Sequence, residues 1–144
     1  MQTVRDLLAK KGSRVWTIEA SRTVYEALEL MAEKDIGALL AVDAGRPAGI
    51  FSERDYARQV ILKGKASKDT LVRDVMTTKV VYVAPERTVD ECMAIMTNKR
   101  VRHLPVVVRE RVVGILSIGD VVKAVISEKQ SHIEQLEDYI KTSG

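Results

Sequence analysis

The sequence predicts an α+β protein in which two β-α-β-β-α repeats pack sheet to sheet as a pseudo-twofold pair, followed by an extended C-terminal helix. The main observation is self-similarity. Shifting the chain by 65 residues lays 24–60 over 89–125 with 12 of 37 pairs identical. Each copy also alternates short β-rich runs with segments of helical periodicity. One copy has too little strand to bury both faces of a sheet, so two copies are expected to pack together.

The first long helix of each repeat has a clear start signal. Thr23 and Thr88 are N-cap candidates, and each is followed three residues later by an acid, Glu26 or Glu91. This is the spacing of a capping box, in which the threonine hydroxyl and the acid satisfy backbone N–H groups reciprocally. Apolar residues then recur at helical spacing in both copies, which predicts a helix with one buried face.

Two β-rich runs follow each helix, with a turn between them, and a further helix begins after Ser52 or Ser117. A short strand is also predicted before the first long helix of each copy. The predicted strands cover residues 15–18, 38–42, 48–51, 80–83, 103–108 and 112–116.

The C-terminal segment, 117–141, has an apolar stripe at spacings of three and four residues, which predicts an amphipathic helix. Such a stripe packs either on its own chain or on a second copy, and we favour the second copy. The predicted division of the chain is repeat one at 1–67, repeat two at 68–127 and a helical extension at 128–144. The stripe consists of Val122, Val125, Lys129, Ile133, Leu136 and Ile140.

Composition excludes several classes of function. The apolar content is 46%, the net charge is +3, and no apolar run is long enough to span a membrane. The first residues do not read as a secretory signal and Cys92 is the only cysteine, so a cytoplasmic location is expected. The weak positive charge and few aromatic rings do not favour nucleic acid as a partner.

No pattern in the sequence points to catalysis or to a metal. His103 and His132 lie 29 residues apart, and neither joins a cluster with metal-ligand spacing. There is no phosphate-binding loop of the nucleotide-hydrolase type and no serine in a nucleophile elbow. We therefore expect a protein without catalytic residues.

The stretches GIFSERD (49–55) and GILSIGD (114–120) occupy equivalent positions in the two repeats. A Ser-x-x-Asp unit at a helix start is most simply a capping box. A helix N-terminus also suits an anion, and a carboxylate can accept two hydrogen bonds from a ribose diol. The two interpretations do not exclude each other.

The repeat order, the two Ser-x-x-Asp stretches and the RHLPV strand at 102–106 resemble the cystathionine-β-synthase (CBS) domain pair. The resemblance covers residues 3–127. KKGS at 10–13 and DVMT at 74–77 are similar to the small stand-alone two-domain members. In that family the equivalent serine and aspartate hold the phosphate or ribose of an adenine nucleotide, and each cleft takes residues from both repeats.

The resemblance implies a first nucleotide site in which Asp55 takes the ribose hydroxyls and Arg54, Arg102 and His103 converge on phosphate. Tyr82 or Val101, with Pro105, would provide apolar walls for the adenine. Arg102 and His103 are equally consistent with a solvated strand edge. The full set is Ser52, Glu53, Arg54, Asp55, Tyr82, Val101, Arg102, His103, Leu104 and Pro105.

The implied second site keeps the acid Asp120 but lacks the cations, because Gly119, Gly37 and Ala38 occupy the positions of Arg54, Arg102 and His103. Phosphate there would need a neighbour such as Lys11 or Arg14, so we expect the first site to be the stronger one. The full set is Thr17, Ile36, Gly37, Ala38, Ser117, Ile118, Gly119 and Asp120.

The function these residues imply is that of a non-catalytic regulatory sensor. The expected ligand is AMP, with ADP, ATP or NAD(H) as further possibilities, and no metal. The ligand would act by changing the packing of a homodimer or of an unidentified partner protein. A structural dimerisation module without ligand and a nucleic-acid binder using an arginine patch are the alternatives.

Overall fold

The computed structural model describes residues 1–143, which divide into two compact units. The continuous unit is Val15–Val80. The split unit is made of two segments, Met1–Arg14 and Val81–Gly144. The units do not follow the sequence repeats, because the first 14 residues join the second repeat and residues 68–80 join the first.

The continuous unit has a three-stranded sheet, in which the first strand is parallel and the third antiparallel to the central second strand. Its core is apolar throughout, with Val24, Ala27, Leu39 and Phe51 fully buried. The elements are β1 (Thr17–Glu19), α2 (Val24–Lys34), β2 (Ala38–Asp43), β3 (Arg46–Ser52), α3 (Glu53–Asp55) with a π-helical continuation (Tyr56–Ile61), and α4 (Val72–Val75).

The split unit has a two-stranded antiparallel sheet covered by three helices. Its core includes Leu104, Leu116 and Val121, all fully buried. The elements are α1 (Val4–Lys11), α5 (Val89–Lys99), β4 (His103–Val108), β5 (Arg111–Ser117) and α6 (Ile118–Ser143).

The short helix that leads each sequence repeat belongs to the unit of the other repeat. Helix α1 buries Val4 and Leu7 in the split unit, and the Val4 N–H donates to the Arg87 carbonyl at 2.8 Å. Helix α4 does the same in the continuous unit, where the Val72 N–H donates to the Arg22 carbonyl at 2.9 Å. Each unit is therefore assembled from both repeats.

The predicted elements are largely confirmed, with differences at their ends. Both capping boxes are present. Strand β4 has its predicted bounds, and the strands β2, β3 and β5 run one or two residues beyond theirs. The strand predicted at 15–18 is β1 at Thr17–Glu19. The strand predicted at 80–83 is wrong: it is reduced to one bridge between Val83 and Val106.

Proline explains the lost strand. In the continuous unit the Leu40 N–H donates to the Trp16 carbonyl at 3.1 Å, extending the pairing of β1 with β2. The equivalent residue in β4 is Pro105, which has no N–H to donate. The bonds that remain join Val83 to the Pro105 carbonyl and to the Val107 N–H.

Helix α6 is the predicted C-terminal helix. Its first turns bury Val121 and Ala124 in the split unit, whereas residues 129–141 are all exposed. The α+β class, the two repeats and the long final helix are confirmed. Sheet-to-sheet packing stays a prediction.

Candidate functional site

The Ser52–Asp55 turn joins the end of β3 to the start of α3 in the continuous unit. The Asp55 Oδ2 accepts hydrogen bonds from the Ser52 N–H and hydroxyl, both at 2.9 Å. In return the Asp55 N–H donates to the Ser52 hydroxyl oxygen at 3.2 Å. The capping-box interpretation is confirmed here, and it fixes the Asp55 carboxylate at a helix N-terminus.

The other oxygen of Asp55 is held by a residue that the sequence did not single out. The Thr77 hydroxyl donates to Asp55 Oδ1 at 2.8 Å. Thr77 is placed by backbone bonds in both directions with Ile50 on β3, at 2.8 and 2.9 Å. Asp55 therefore accepts three hydrogen bonds from its own unit, out of about four that a carboxylate can take.

The Ser117–Asp120 turn of the split unit has the same capping geometry. The Asp120 Oδ2 accepts from the Ser117 N–H at 2.8 Å, and the Asp120 N–H donates to the Ser117 hydroxyl oxygen at 3.1 Å. Its further partner is a cation. The Lys11 ammonium of α1 donates to Asp120 Oδ2 at 2.5 Å and to the Ile115 carbonyl at 2.6 Å.

The ion pair affects the charge state of Asp120. Its side chain is only 25% exposed, and that of Lys11 is 33% exposed. Partial burial acts to raise the pKa of the Asp120 carboxyl, but hydrogen bonds from Lys11 and Ser117 outweigh it, so the pKa lies below its usual value. Asp120 is thus a carboxylate at neutral pH with a bound counter-ion.

A cavity of about 270 Å³ lies beside this ion pair, within the split unit. Three lysines and one acid line it, so its polar wall is predominantly positive. Of the residues predicted for the second site, Asp120 is the one that lines this cavity. The lining residues are Gln2, Leu7, Lys10, Lys11, Asp120, Lys123, Ala124 and Ser127.

Each Ser-x-x-Asp turn adjoins the start of the neighbouring strand in its own repeat. The Glu53 N–H donates to the Gly37 carbonyl at 3.0 Å, and Ala38 pairs with Ser52. The Ile118 N–H donates to the Arg102 carbonyl at 2.8 Å, and the partner of His103 in the sheet is Ser117. Gly37 and Ala38 were predicted for the second site but lie beside the Ser52 turn. Arg102 and His103 were predicted for the first site but lie beside the Ser117 turn.

This arrangement divides both predicted sets between the units. Residues 52–55 lie in the continuous unit with Thr17 and Ile36–Ala38, and residues 117–120 lie in the split unit with Tyr82 and Val101–Pro105. Within the continuous unit the structure brings Gly37 and Ala38 to the Ser52 turn. Within the split unit it brings Arg102 and His103 to the Ser117 turn. Both complete sets stay predictions.

The predicted adenine walls differ in their exposure. Tyr82 is 41% exposed, and its partial burial raises the pKa of its hydroxyl. Val101 is partly buried and Pro105 is buried. Leu104 is fully buried in the core of the split unit, so its side chain serves packing. In the continuous unit, Thr17 and Gly37 are exposed and Ile36 is half-buried.

The glycine that precedes each turn is explained by close packing. A Cβ on Gly49 would lie 2.6 Å from the Thr77 carbonyl oxygen and 2.9 Å from the Met76 sulfur. A Cβ on Gly114 would lie 2.7 Å from a methyl carbon of Leu8. The two glycines therefore let α1 and the segment after α4 approach β5 and β3.

Two residues bound to the turns were not predicted in that role. Thr77 lies 22 positions after Asp55 and carries no motif, and Lys11 was considered only as a phosphate neighbour. Lys11 is the last residue of α1, and Thr77 lies two positions after α4. The repeat offset of 68 aligns Lys11 with Lys79 and Thr77 with Ala9, so the sequence carries no signal for either contact.

Residues 1–143 contain no helix that is both long and apolar enough to cross a bilayer. Across the same residues, no group of three or more histidine, cysteine, aspartate or glutamate side chains could hold a metal ion.

Comparison with known proteins identifies the family. A sequence model of the CBS domain matches residues 4–61 and again 72–127. The mitochondrial CBS domain-containing protein CBSX3 of Arabidopsis thaliana is 40% identical, over 96% of this chain and 72% of its own length.

Solved structures agree with that match. One from Burkholderia ambifaria, described as a signal-transduction protein with CBS domains, is 50% identical and has a TM-score of 0.83, covering 88% of this chain and 95% of the other. A hexameric CBS-CP12 protein from bloom-forming cyanobacteria is 27% identical with a TM-score of 0.76, covering 85% and 70%. With two matched copies spanning most of its length, this chain belongs to the CBS-domain family.

Proposed function

We propose that the protein is a non-catalytic regulatory module that binds an adenine nucleotide at its Ser-x-x-Asp turns. AMP is the first candidate, with ADP, ATP and NAD(H) as the others. The ligand acts by changing the packing of a homodimer or of a partner protein. Proteins of this family are commonly regulatory or signal-transduction modules, and the description of the Burkholderia structure supports that role.

The observation that carries the proposal is the pair of anchored carboxylates. Asp55 and Asp120 each lie at a helix N-terminus directly after a strand, oriented by the serine of the turn. Both side chains are partly exposed, so they can accept hydrogen bonds from a ligand while they cap the helix. The positive end of the helix dipole at such a helix start suits a phosphate.

The positive side chains favour the first predicted site, whereas the number of hydrogen bonds that the aspartate can still accept favours the second. Arg54 contributes a cation beside Asp55, Arg102 is a second cation of the predicted first site, and His103 is a further hydrogen-bonding group there. Asp55, however, already accepts three hydrogen bonds, whereas Asp120 accepts two, from Ser117 and Lys11. A ribose diol donates two, so it fits Asp120 without loss of a protein hydrogen bond and fits Asp55 only if Thr77 turns away.

Self-association is part of the proposal. The cyanobacterial CBS-CP12 protein is hexameric, and this chain exposes apolar side chains along its last helix. The subunits of an oligomer can pack in two arrangements. A nucleotide that binds one arrangement more tightly than the other shifts the equilibrium toward it, and this is how the ligand would regulate the protein.

Calorimetric titration with AMP, ATP, NADH and S-adenosylmethionine tests the proposal, using wild type, Asp55→Ala and Asp120→Ala. We expect loss of the ribose contact to weaken binding about 30- to 150-fold, or ~2–3 kcal/mol. Because both acids also cap helices, Glu26→Ala and Glu91→Ala are the matched controls. They remove the acid of a capping box elsewhere and should leave affinity unchanged.

The outcomes separate the alternatives. A loss confined to Asp120→Ala would rank the second site above the first. No binding of any nucleotide by the folded protein would leave a structural module whose Ser-x-x-Asp turns only cap helices. Binding of single-stranded nucleic acid that falls steeply with salt and ignores the adenine would favour the nucleic-acid alternative.

A further inference from the structure

The distal part of α6 is a helix with an exposed apolar stripe. Ile126 and Ile133 are 60% and 50% exposed, and Leu136 is 51% exposed. The first turns of the same helix, by contrast, bury Val121 and Ala124 in the core. Residues 128–143 also lie outside the match to the family, which ends at 127. Most of this stripe therefore lies beyond the matched repeats, and it is exposed within its own chain.

The stripe has the seven-residue spacing of a coiled-coil seam. Ile126, Ile133 and Ile140 recur every seven residues and take position a of the heptad. Position d is then occupied by Val122, Lys129 and Leu136. An apolar seam of this spacing on an exposed helix is buried when it packs against the seam of a second helix, and that burial stabilises the pair.

The charges decide which partner. The segment 118–143 carries five acids and three lysines, which does not suit an anionic membrane surface. A parallel pair of these helices would place Lys129 against the partner's Lys129 inside the seam. An antiparallel pair instead places Lys129 beside the partner's Ile133, and Ile126 beside the partner's Leu136.

The antiparallel register also brings opposite charges together beside the apolar seam. It brings Lys123 next to the partner's Glu137, and the twofold axis repeats this contact at the other end of the seam. The same two residues lie 14 positions apart along the helix and do not meet in a parallel pair. Opposite charges flanking the seam set the orientation of coiled-coil pairs.

We propose that the distal half of α6 pairs antiparallel with the same segment of a second copy, with Ile126, Ile133 and Leu136 forming the seam. This gives the proposed homodimer a definite interface. It does not depend on nucleotide binding.

The first test is the mass of the full chain in solution, by light scattering over a range of concentrations. Wild type is expected to be a dimer, and Ile133→Glu is expected to raise the dimer dissociation constant at least 100-fold. Ser131→Glu adds the same charge two residues away, outside the seam, and should remain dimeric. A dimer that survives Ile133→Glu overturns this interface while leaving the homodimer and its ligand intact.

The second test reports orientation by disulfide formation between single-cysteine additions. A mixture of Ile126→Cys and Leu136→Cys chains should give a mixed crosslinked dimer, whereas neither variant alone should crosslink. Crosslinking of Ile126→Cys with itself would show a parallel pair and overturn the proposal. The native Cys92 is fully buried, and burial raises its pKa to about 11, so it does not compete.

The third test exchanges the charges of Lys123 and Glu137, first singly and then together. Lys123→Glu and Glu137→Lys should each weaken the dimer, and the double exchange should restore it. If both single changes weaken the dimer and the double exchange does not restore it, the proposed register is wrong. A monomeric wild type that binds phosphatidylcholine–phosphatidylserine vesicles through this stripe would also overturn the proposal.

Discussion

The ammonium of Lys11 donates a hydrogen bond to the carboxylate of Asp120 across 109 positions of sequence. The same nitrogen donates to a carbonyl of β5, so α1 is fastened to the turn that begins α6. In the other repeat, the equivalent acid is held by the neutral hydroxyl of Thr77. The two Ser-x-x-Asp turns are thus alike in backbone and different in charge.

Lys11→Met should lower the free energy of unfolding by about 1 kcal/mol at pH 7, because a partly buried ion pair is lost. The pKa of Asp120 is lowered in the folded state, so the stabilisation is present above its unfolded value and is lost as pH falls through the folded value. The difference between variant and wild type should therefore shrink below about pH 4.

Urea denaturation at pH 7 and pH 3 measures that difference. Lys10→Met is the control, because it removes an exposed lysine from the next position of α1 and should have little effect. An equal loss of stability at both pH values would contradict the role of the Asp120 charge.

Gly49→Ala should cost about 2–3 kcal/mol of stability, and Gly114→Ala should cost less. The added methyl on Gly49 meets the Thr77 carbonyl oxygen, whose backbone is fixed by two hydrogen bonds to Ile50. On Gly114 it meets only the end of the flexible Leu8 side chain. Chemical denaturation of both variants measures which one loses more free energy of unfolding. Equal losses would show that the backbone around Thr77 moves to make room for the methyl group.

Glu110→Gly should stabilise the protein by about 0.5–1 kcal/mol. Glu110 has φ of +68° in the two-residue turn between β4 and β5, a conformation that suits glycine. Gly45 has φ of +78° in the equivalent turn between β2 and β3, with open space around it. Gly45→Ala should therefore destabilise by a similar amount. Melting temperatures of the two variants should move in opposite directions.

Cys92 should not react with a thiol reagent in the native protein at pH 7.5. Its side chain is fully buried and the pKa of its thiol is raised to about 11, so almost no thiolate is present. Absorbance on mixing with a disulfide dye measures the rate, and the protein unfolded in urea is the control that must react. Fast native labelling would mean that α5 opens readily.

Much of the fold and part of the site could be predicted from local signals. Capping boxes such as Thr23 with Glu26, and the two Ser-x-x-Asp turns, are specified by residues three positions apart. Their hydrogen bonds form within one turn of helix, so the sequence alone identifies them. The repeat then predicts the same elements in the second copy.

What the sequence by itself determined is therefore the set of local elements, their order and their duplication. Tertiary structure decided which copy each leading helix packs on, because Val4 and Val72 would suit either apolar core. It also decided that Thr77 holds Asp55 and that Lys11 holds Asp120. Those contacts join residues brought together by packing, and no spacing along the chain encodes a distance across the fold.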